Sequence, residues 1–367
     1  MVTTINYIYP RNKLVSFRVI AERHVAELRR YYHVQTYDEG ALPAVLPILT
    51  AVSRDPILVQ PYFYPISVYE ARIARKLGVK GETVNGLIGI DVADTDHMTK
   101  RAVELSQYAE AFIVPSEYAR KSYMVSGIPR PTHVVRHGID DKYFTTPRSK
   151  PHHFEHWWRY KEKGKLIFLQ MWCIHSDYRK GYDLAQKIYA ELRKERDDVR
   201  LILRYGSLIG LLDSPMEAGK KLKNDDCLAS KFVVWLTEEQ KMELYDLCDI
   251  YLLTSRGGAF EHIGLEAMVR GEITIGAAGG AWEEYMPKWL LIPSRKSDII
   301  LPNNPIHDGY GVEMLVDKAV DKLHEIADNI TEYRAKVNEY VNTHVKPNFN
   351  WRKIGEDLKA VVERYAG

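Results

Sequence analysis

Three scarcities bound what this 367-residue chain can be. Cysteine is the first: Cys173, Cys227 and Cys248 are odd in number, widely spaced and outside any C-x-x-C or Cys/His pairing. That disfavours a disulfide framework or a zinc-ligand set and makes buried free thiols the expectation. Long apolar runs are the second. No stretch reaches the roughly 18 residues of a membrane span, and MVTTINYIYPRNK lacks the basic and apolar segments of a secretory leader. Excess charge of one sign is the third: 51 Lys and Arg stand against 49 Asp and Glu, so nothing global points to nucleic acid. With no EF-hand loop, H-E-x-x-H or P-loop either, no metal is implied by motif. A cytoplasmic protein is expected, with peripheral contact at an inner membrane face left open and the oligomeric state unread.

What is present is the composition of a soluble globular protein, 46% hydrophobic and 27% charged, at a length that suggests two domains. Short apolar runs alternate with helical patterns. Ile5–Tyr9, 56–59, 84–90 and 111–115 read as strands, and a further strand begins at Val134 and breaks at His137-Gly138. Strands follow at 166–170, 199–203, 232–235, 250–253 and 273–276. This alternation predicts parallel sheets covered on both faces, hence α/β with two doubly wound domains. Pro147–Lys165, mixing prolines, histidines and charge, divides them. The expected boundaries are 1–150 for an N-terminal domain, 151–164 for a linker and 165–346 for a C-terminal domain. The C-terminal segment 347–367 carries Trp351, Ile354, Leu358, Val361, Val362 and Tyr365 on one apolar stripe, a packing face expected to join the N-terminal domain. Thr237 followed three residues later by Gln240 predicts a capping box.

The stretch SRGGAFEHIGLEAM, Ser255–Met268, is the one around which a site can be argued. It follows the apolar run Ile250–Leu253 and opens into a helix near His262. Gly257, Gly258 and Ala259 at a strand-to-helix junction allow a ligand to approach backbone amides, and the helix N-terminus favours an anion. Glu266, one turn in, can aim a carboxylate at the same ligand. A molecule with both phosphates and hydroxyls, such as a nucleotide sugar, is the simplest occupant. Gly276-Ala277-Ala278-Gly279-Gly280 makes a second glycine-rich turn at the next strand end.

Several motifs, in order, resemble those of retaining GT-B glycosyltransferases of family 4. Ala109–Arg120, AEAFIVPSEYAR, is similar to the family's strand and helix around P-S-E-Y. His137-Gly138-Ile139-Asp140 is similar to its H-G-I-D turn, and Arg179-Lys180-Gly181-Tyr182-Asp183 to its R-K-G-x-D. DLCDIYLLTSR (246–256) and GLEAM (264–268) follow in place, and Asp94-Thr95-Asp96 is similar to the E-T-D of a subset. It is the order that carries the resemblance.

The resemblance implies two Rossmann-like domains facing a cleft, with a nucleotide-sugar-binding C-terminal domain and an acceptor domain before it. It implies a donor such as a UDP- or GDP-sugar as cosubstrate, no permanently bound cofactor, no required metal, and a hydroxyl acceptor on a glycan, lipid or small molecule. Lys180, with Arg179 beside it, would meet the diphosphate. Glu266 would accept from the ribose hydroxyls, and amides of Gly258, Ala259 and Phe260, next to Gly257, would hold the sugar or its phosphate. Gly279 and Gly280 would line the neighbouring wall. His137 and Asp94 would face the reacting sugar, although a turn histidine is often solvated and Asp94 or Asp96 could instead cap the following helix.

Three departures stand out. The family carries two glutamates with seven residues between them, and Gly258 occupies the place of the first; Glu261 lies three positions later. The loop Met171–Tyr178 is long and brings Trp172, His175 and Asp177 toward the donor site or is a surface elaboration. Arg11 and Lys13, in a loop where relatives carry glycines, hint at an anionic partner. The alternative to a transferase is a non-catalytic nucleotide-sugar or glycan-binding relative that has lost the first glutamate. A Rossmann dehydrogenase is disfavoured because no G-x-G-x-x-G follows the first strand.

Overall fold

Runs of residues apolar at every position can be buried only if both faces of their sheet are covered, and that is how the central strands sit in the computed structural model. It describes residues 4–13, 15–77, 82–173, 176–206, 227–231 and 236–365. The chain divides into two compact units: 1–138 with 301–310 and 349–367, and 139–300 with 311–348.

The first unit holds β1 (Thr4–Tyr9), β2 (His33–Asp38), β3 (Ile57–Val59), β4 (Leu87–Ile90), β5 (His97–Met98), β6 (Ala111–Val114) and β7 (Thr132–Val134). Six of them form one parallel sheet in the order β2-β1-β3-β4-β6-β7. Every residue of β3, β4 and β6 is buried. β2, HVQTYD, was not expected from the sequence. It is an edge strand with one fully buried residue, Val34, too polar to stand out from a loop.

The C-terminal helix Trp351–Arg364 joins this unit, as its stripe predicts. Ile354, Leu358, Val361 and Val362 share a core with Ile20, Ala21, Val25 and Leu28 of the helix Ser16–Leu28. Each buried Leu, Ile or Val among them contributes about 2 kcal/mol by leaving water. Gly355 lets the two helices approach, since a Cβ there would stand 2.6 Å from Cβ of Glu27.

The second unit holds β8 (Leu166–Cys173), β9 (Val199–Gly206), β10 (Cys227–Lys231), β11 (Ile250–Leu253), β12 (Ile273–Ala277), β13 (Leu291–Ile292) and β14 (Ser294–Ile299). Its main sheet is also parallel, in the order β10-β9-β8-β11-β12-β13. β15 (His307–Asp308) belongs to the first unit and pairs there antiparallel with β5, while β16 (Tyr310–Met314) pairs with β14. The stretch 151–164 contains the helix Glu155–Glu162, whose Trp157 is buried against Phe154. The expected strand 232–235 lies outside the described residues. No described helix is long and apolar enough to cross a membrane.

Candidate functional site

Strand order reverses in the second sheet between β8 and β11, its first and fourth strands in sequence. In open α/β sheets that switch point opens a crevice at the carboxyl ends of the strands, where ligands bind. Two segments emerge there: 176–181 behind β8, and Thr254–Glu261 behind β11.

Backbone contacts stitch the two together. The Arg256 amide donates to the Arg179 carbonyl at 2.7 Å, and the Thr254 hydroxyl and the Gln170 amide group both donate to the Lys180 carbonyl. Gly181 takes φ +67, and a Cβ there would overlap the Thr254 carbonyl oxygen. Glycine is required twice over at that position.

Arg256 is the hub of the segment. Its guanidinium is 2% exposed, forms a two-pronged pair with Asp183 at 2.7 Å for each bond, reaches Glu313 at 2.7 Å and donates to the Tyr178 carbonyl. It also lies 4.0 Å from the centre of the Tyr178 ring. Burial works to raise the Asp183 carboxyl, but the Arg256 hydrogen bonds and charge outweigh it and hold that group below the usual range. Arg256 thereby fixes the turn that carries Arg179 and Lys180.

Those two cations converge on one carboxylate. Lys180 Nζ lies 2.5 and 2.7 Å from the two oxygens of Glu261, and Arg179 lies 3.8 Å from one of them while donating to the Gly257 carbonyl. Glu261 is 5% exposed and sits in the left-handed region at φ 59. That conformation costs a non-glycine residue about 1–2 kcal/mol. It is fixed by two bonds to the Glu261 carbonyl, from the Tyr285 hydroxyl at 2.8 Å and the Gly264 amide at 3.0 Å. Gly258 lies directly beneath the carboxylate, and a Cβ at 258 would overlap its Oε1. Ala259 and Phe260 are buried next to it.

Glu266 occupies the first turns of the helix His262–Val269 and is buried. Lys241 holds its Oε1 at 2.9 Å, and the Tyr245 hydroxyl donates to its Oε2 at 2.8 Å. His262 lies 3.7 Å away. Burial alone would raise the Glu266 carboxyl; the charges of Lys241 and His262, with the bonds from Lys241 and Tyr245, bring it below its ordinary value. It therefore stays ionised, with accepting capacity beyond the two bonds it has. Lys241 and Tyr245 come from the helix Glu238–Leu247, whose predicted Thr237–Gln240 capping box is formed.

The second glycine turn is more committed than its sequence suggests. Gly279, at φ +89, gives its amide to Glu283 at 2.6 Å, and Gly280 is packed so closely under Trp282 that a Cβ would overlap the indole.

In the first unit, Asp94 lies in the loop after β4, near Asp91 and Tyr118. The helix Lys100–Ser106 is capped by Thr99, so neither Asp94 nor Asp96 has that task. Asp96 instead accepts from the Tyr310 amide. His137 follows β7 and is partly buried, with Gly138 packed on Trp351. Lys13 pairs with Glu39 and Arg11 donates to the Thr36 carbonyl, so both are occupied within their own unit. Asp177 accepts from the Tyr178 amide; His175 and the Trp172 side chain fall outside the described residues. Among those residues, no group of three or more His, Cys, Asp or Glu side chains is arranged to hold a metal ion.

Sequence reasoning singled out Lys180 and Glu266 but not Arg256, Asp183, Lys241 or Tyr245. One signal existed, the i, i+4 spacing of Lys241 and Tyr245, which puts both on one helix face.

No family model matches the chain. Protein 356 of Sulfolobus islandicus rod-shaped virus 1, itself uncharacterised, is 33% identical over an alignment of 377 residues that spans the whole of both chains. A protein of the Sulfolobus islandicus filamentous virus, provisionally named glycosyltransferase 45, is 26% identical over 246 residues, 64% of this chain and 62% of its own length. Among solved structures, Anabaena HepE in complex with UDP and glucose superposes with a TM-score of 0.69 at 15% identity, covering 99% of this chain and 100% of that one. At that identity the likeness concerns architecture: the two parallel α/β sheets are those of the GT-B fold.

Proposed function

We propose, from the premise that the chain belongs to the family of protein 356 of Sulfolobus islandicus rod-shaped virus 1, that it is a retaining glycosyltransferase. It moves a sugar from a nucleoside-diphosphate sugar to a hydroxyl acceptor. The observation that carries the reading is the pairing of a clamped two-cation turn, Arg179-Lys180, with the buried carboxylates of Glu261 and Glu266 at the switch point of the second sheet. HepE, which shares the fold, is bound to UDP and glucose.

In this reading Lys180 and Arg179 take the diphosphate oxygens, and Glu266 uses its remaining lone pairs for ribose hydroxyls. Amides of Gly258, Ala259 and Phe260, where the helix dipole is positive, hold the sugar or its phosphate. Gly257 leaves room for that approach, and Gly279 and Gly280 contribute shape to the adjoining wall. His137 and Asp94 are the first unit's candidates for contact with the reacting sugar. The bond from C1 to the diphosphate oxygen breaks, and its electron pair leaves with the phosphate. The acceptor oxygen bonds C1 on the same face, and its proton passes to the departing phosphate oxygen. Lys180 and Arg179 neutralise the charge that develops there, so the step assigns no role to a metal.

Gly258 motivates a second reading, a binding protein without turnover. A thermal-shift screen of UDP-, GDP- and ADP-sugars, followed by a donor-hydrolysis assay, separates the two: binding with no turnover would favour the second. In the same protein, Lys180→Ala and Glu266→Ala should each weaken UDP or GDP binding tenfold or more, about 1.4 kcal/mol. Unchanged affinity in both variants would place the donor elsewhere.

A further inference from the structure

A glutamate at the head of a helix ordinarily gives its carboxylate to the helix's own amides or to solvent. Glu261 does neither: its side chain makes no cap bond, and it is almost completely buried. It turns back over Gly258 to Lys180. Three features are needed together for this path. Position 258 must lack a Cβ, residue 261 must accept a left-handed backbone, and Tyr285 must hold the Glu261 carbonyl. Strained backbone conformations that the surroundings hold this firmly are concentrated at working sites.

Lys180 is also the cation assigned to a diphosphate, and one ammonium cannot serve both anions fully. When phosphate oxygens take Lys180, the Glu261 carboxylate loses its strongest partner while remaining in a nearly dry place. An unpaired buried carboxylate is costly, so the incoming ligand has to supply donors. The group joined to the diphosphate in a nucleotide sugar is rich in hydroxyls, and a carboxylate accepts from two neighbouring hydroxyls at once.

We infer that Glu261 is a specificity-determining residue: it passes from Lys180 to the hydroxyls of the transferred sugar when the donor binds, and Gly258 is the vacancy that lets it do so. The carboxylate absent at 258 is thus delivered to the same place from 261. This inference rests on the donor-site reading given above.

The test compares the affinity of the whole protein for two pairs of probes, UDP with UDP-glucose and GDP with GDP-mannose, by calorimetry. The readout is the ratio within each pair. Glu261→Gln should keep or tighten binding of the bare diphosphate, because Lys180 is released, while the preference for the sugar-bearing partner falls at least tenfold. A role in folding alone would move both affinities together and leave the ratio alone. A second protein transposes the pair, Gly258→Glu with Glu261→Gly. It places glycine at the left-handed position and a carboxylate over the vacancy, and should restore the ratio to within about threefold of the parent. An unchanged ratio in Glu261→Gln, or a transposed protein as poor as Glu261→Gln, overturns the inference and leaves the donor site standing. A parent that binds neither diphosphate overturns both.

Discussion

Both main sheets are parallel, with six strands each among the described residues, yet the places where their strand order turns are filled in opposite ways. In the first unit the turn lies between β1 and β3, and the polar groups beside it form a neutral chain. The Tyr7 hydroxyl donates to Gln60 at 2.6 Å and lies 2.9 Å from Nδ1 of His24. In the second unit the turn lies between β8 and β11, and it gathers two groups of paired charges: Arg179 and Lys180 with Glu261, and Arg256 with Asp183 and Glu313. A neutral chain has no charge to exchange with an incoming ion. A cluster of cations and carboxylates can exchange partners with a charged ligand. The same architecture therefore separates into a half whose switch point is closed by hydrogen bonds and a half whose switch point is poised by charge.

Breaking the charged half should produce the largest effect. Arg256→Met removes the buried cation shared by Glu313 and Asp183, leaving Glu313 to the exposed Arg295 and Asp183 to Lys187, 3.6 Å away; because each carboxylate keeps a second cation, the loss is about 3 kcal/mol, the lower end of the range for severed buried pairs. It also frees the Arg179-Lys180 turn, so UDP or GDP affinity should fall at least tenfold. Chemical denaturation and calorimetry measure the two effects separately. Lost stability with intact nucleotide affinity would show that Arg256 supports the fold and not the turn.

The two halves also differ in how openly their sequences declare them. The apolar strands and the stripe 351–365 were legible because period and burial follow directly from residue type. Lys180, Gly257 and Gly258 could be placed on the segments behind β8 and β11, and Glu266 in the helix that follows, because their motifs come in a recognisable order; the roles given to them remain proposals. What Gly258 does was not legible, since it depends on a left-handed residue three positions away and on Tyr285, twenty-four residues further along from Glu261. Arg256 was hidden for a similar reason. Its partners Asp183 and Glu313 lie 73 and 57 residues away, and only the fold brings them together. β2 was missed because an edge strand can be polar on most of its length.

The neutral half gives a sharper test through pH. Burial lowers the His24 pKa from 6.5 to about 4. Because Tyr7 donates to Gln60, its oxygen accepts from Nδ1–H of His24, and Nε2 is buried without a partner. Protonation would put an unsatisfied charge there. The folded pKa lies below the unfolded one, so the contribution is complete above pH 6.5 and is lost as pH falls toward 4. Asp91 works the other way. Burial pushes its carboxyl up to about 7 against the amides of Phe63, Val92 and Tyr62, so its contribution is lost as pH rises through that value. His24→Asn keeps a donor for Tyr7 and removes the titration. Relative to the parent it should gain about 2 kcal/mol between pH 7 and pH 5. Asp91 is common to both proteins and cancels. Parallel pH profiles of unfolding free energy would mean that His24 is not held neutral.

The smallest effect asks whether the charged half depends on local helix chemistry or on its own network. The helix Glu238–Leu247 carries Lys241 and Tyr245 to Glu266, and its start is fixed by reciprocal bonds: the Gln240 amide to the Thr237 hydroxyl at 3.2 Å, and the Thr237 amide to the Gln240 side chain at 3.0 Å. Thr237→Ala removes one of them and should cost about 1 kcal/mol of stability. Lys241 and Tyr245 lie one and two turns inside the helix, and Glu266 is bonded to both. Fraying at the first residue should therefore leave nucleotide affinity within about threefold of the parent. A tenfold loss of UDP or GDP binding in Thr237→Ala would mean that the Glu266 pocket is set by the helix cap, and the contrast between a self-held charged half and a neutral half would weaken accordingly.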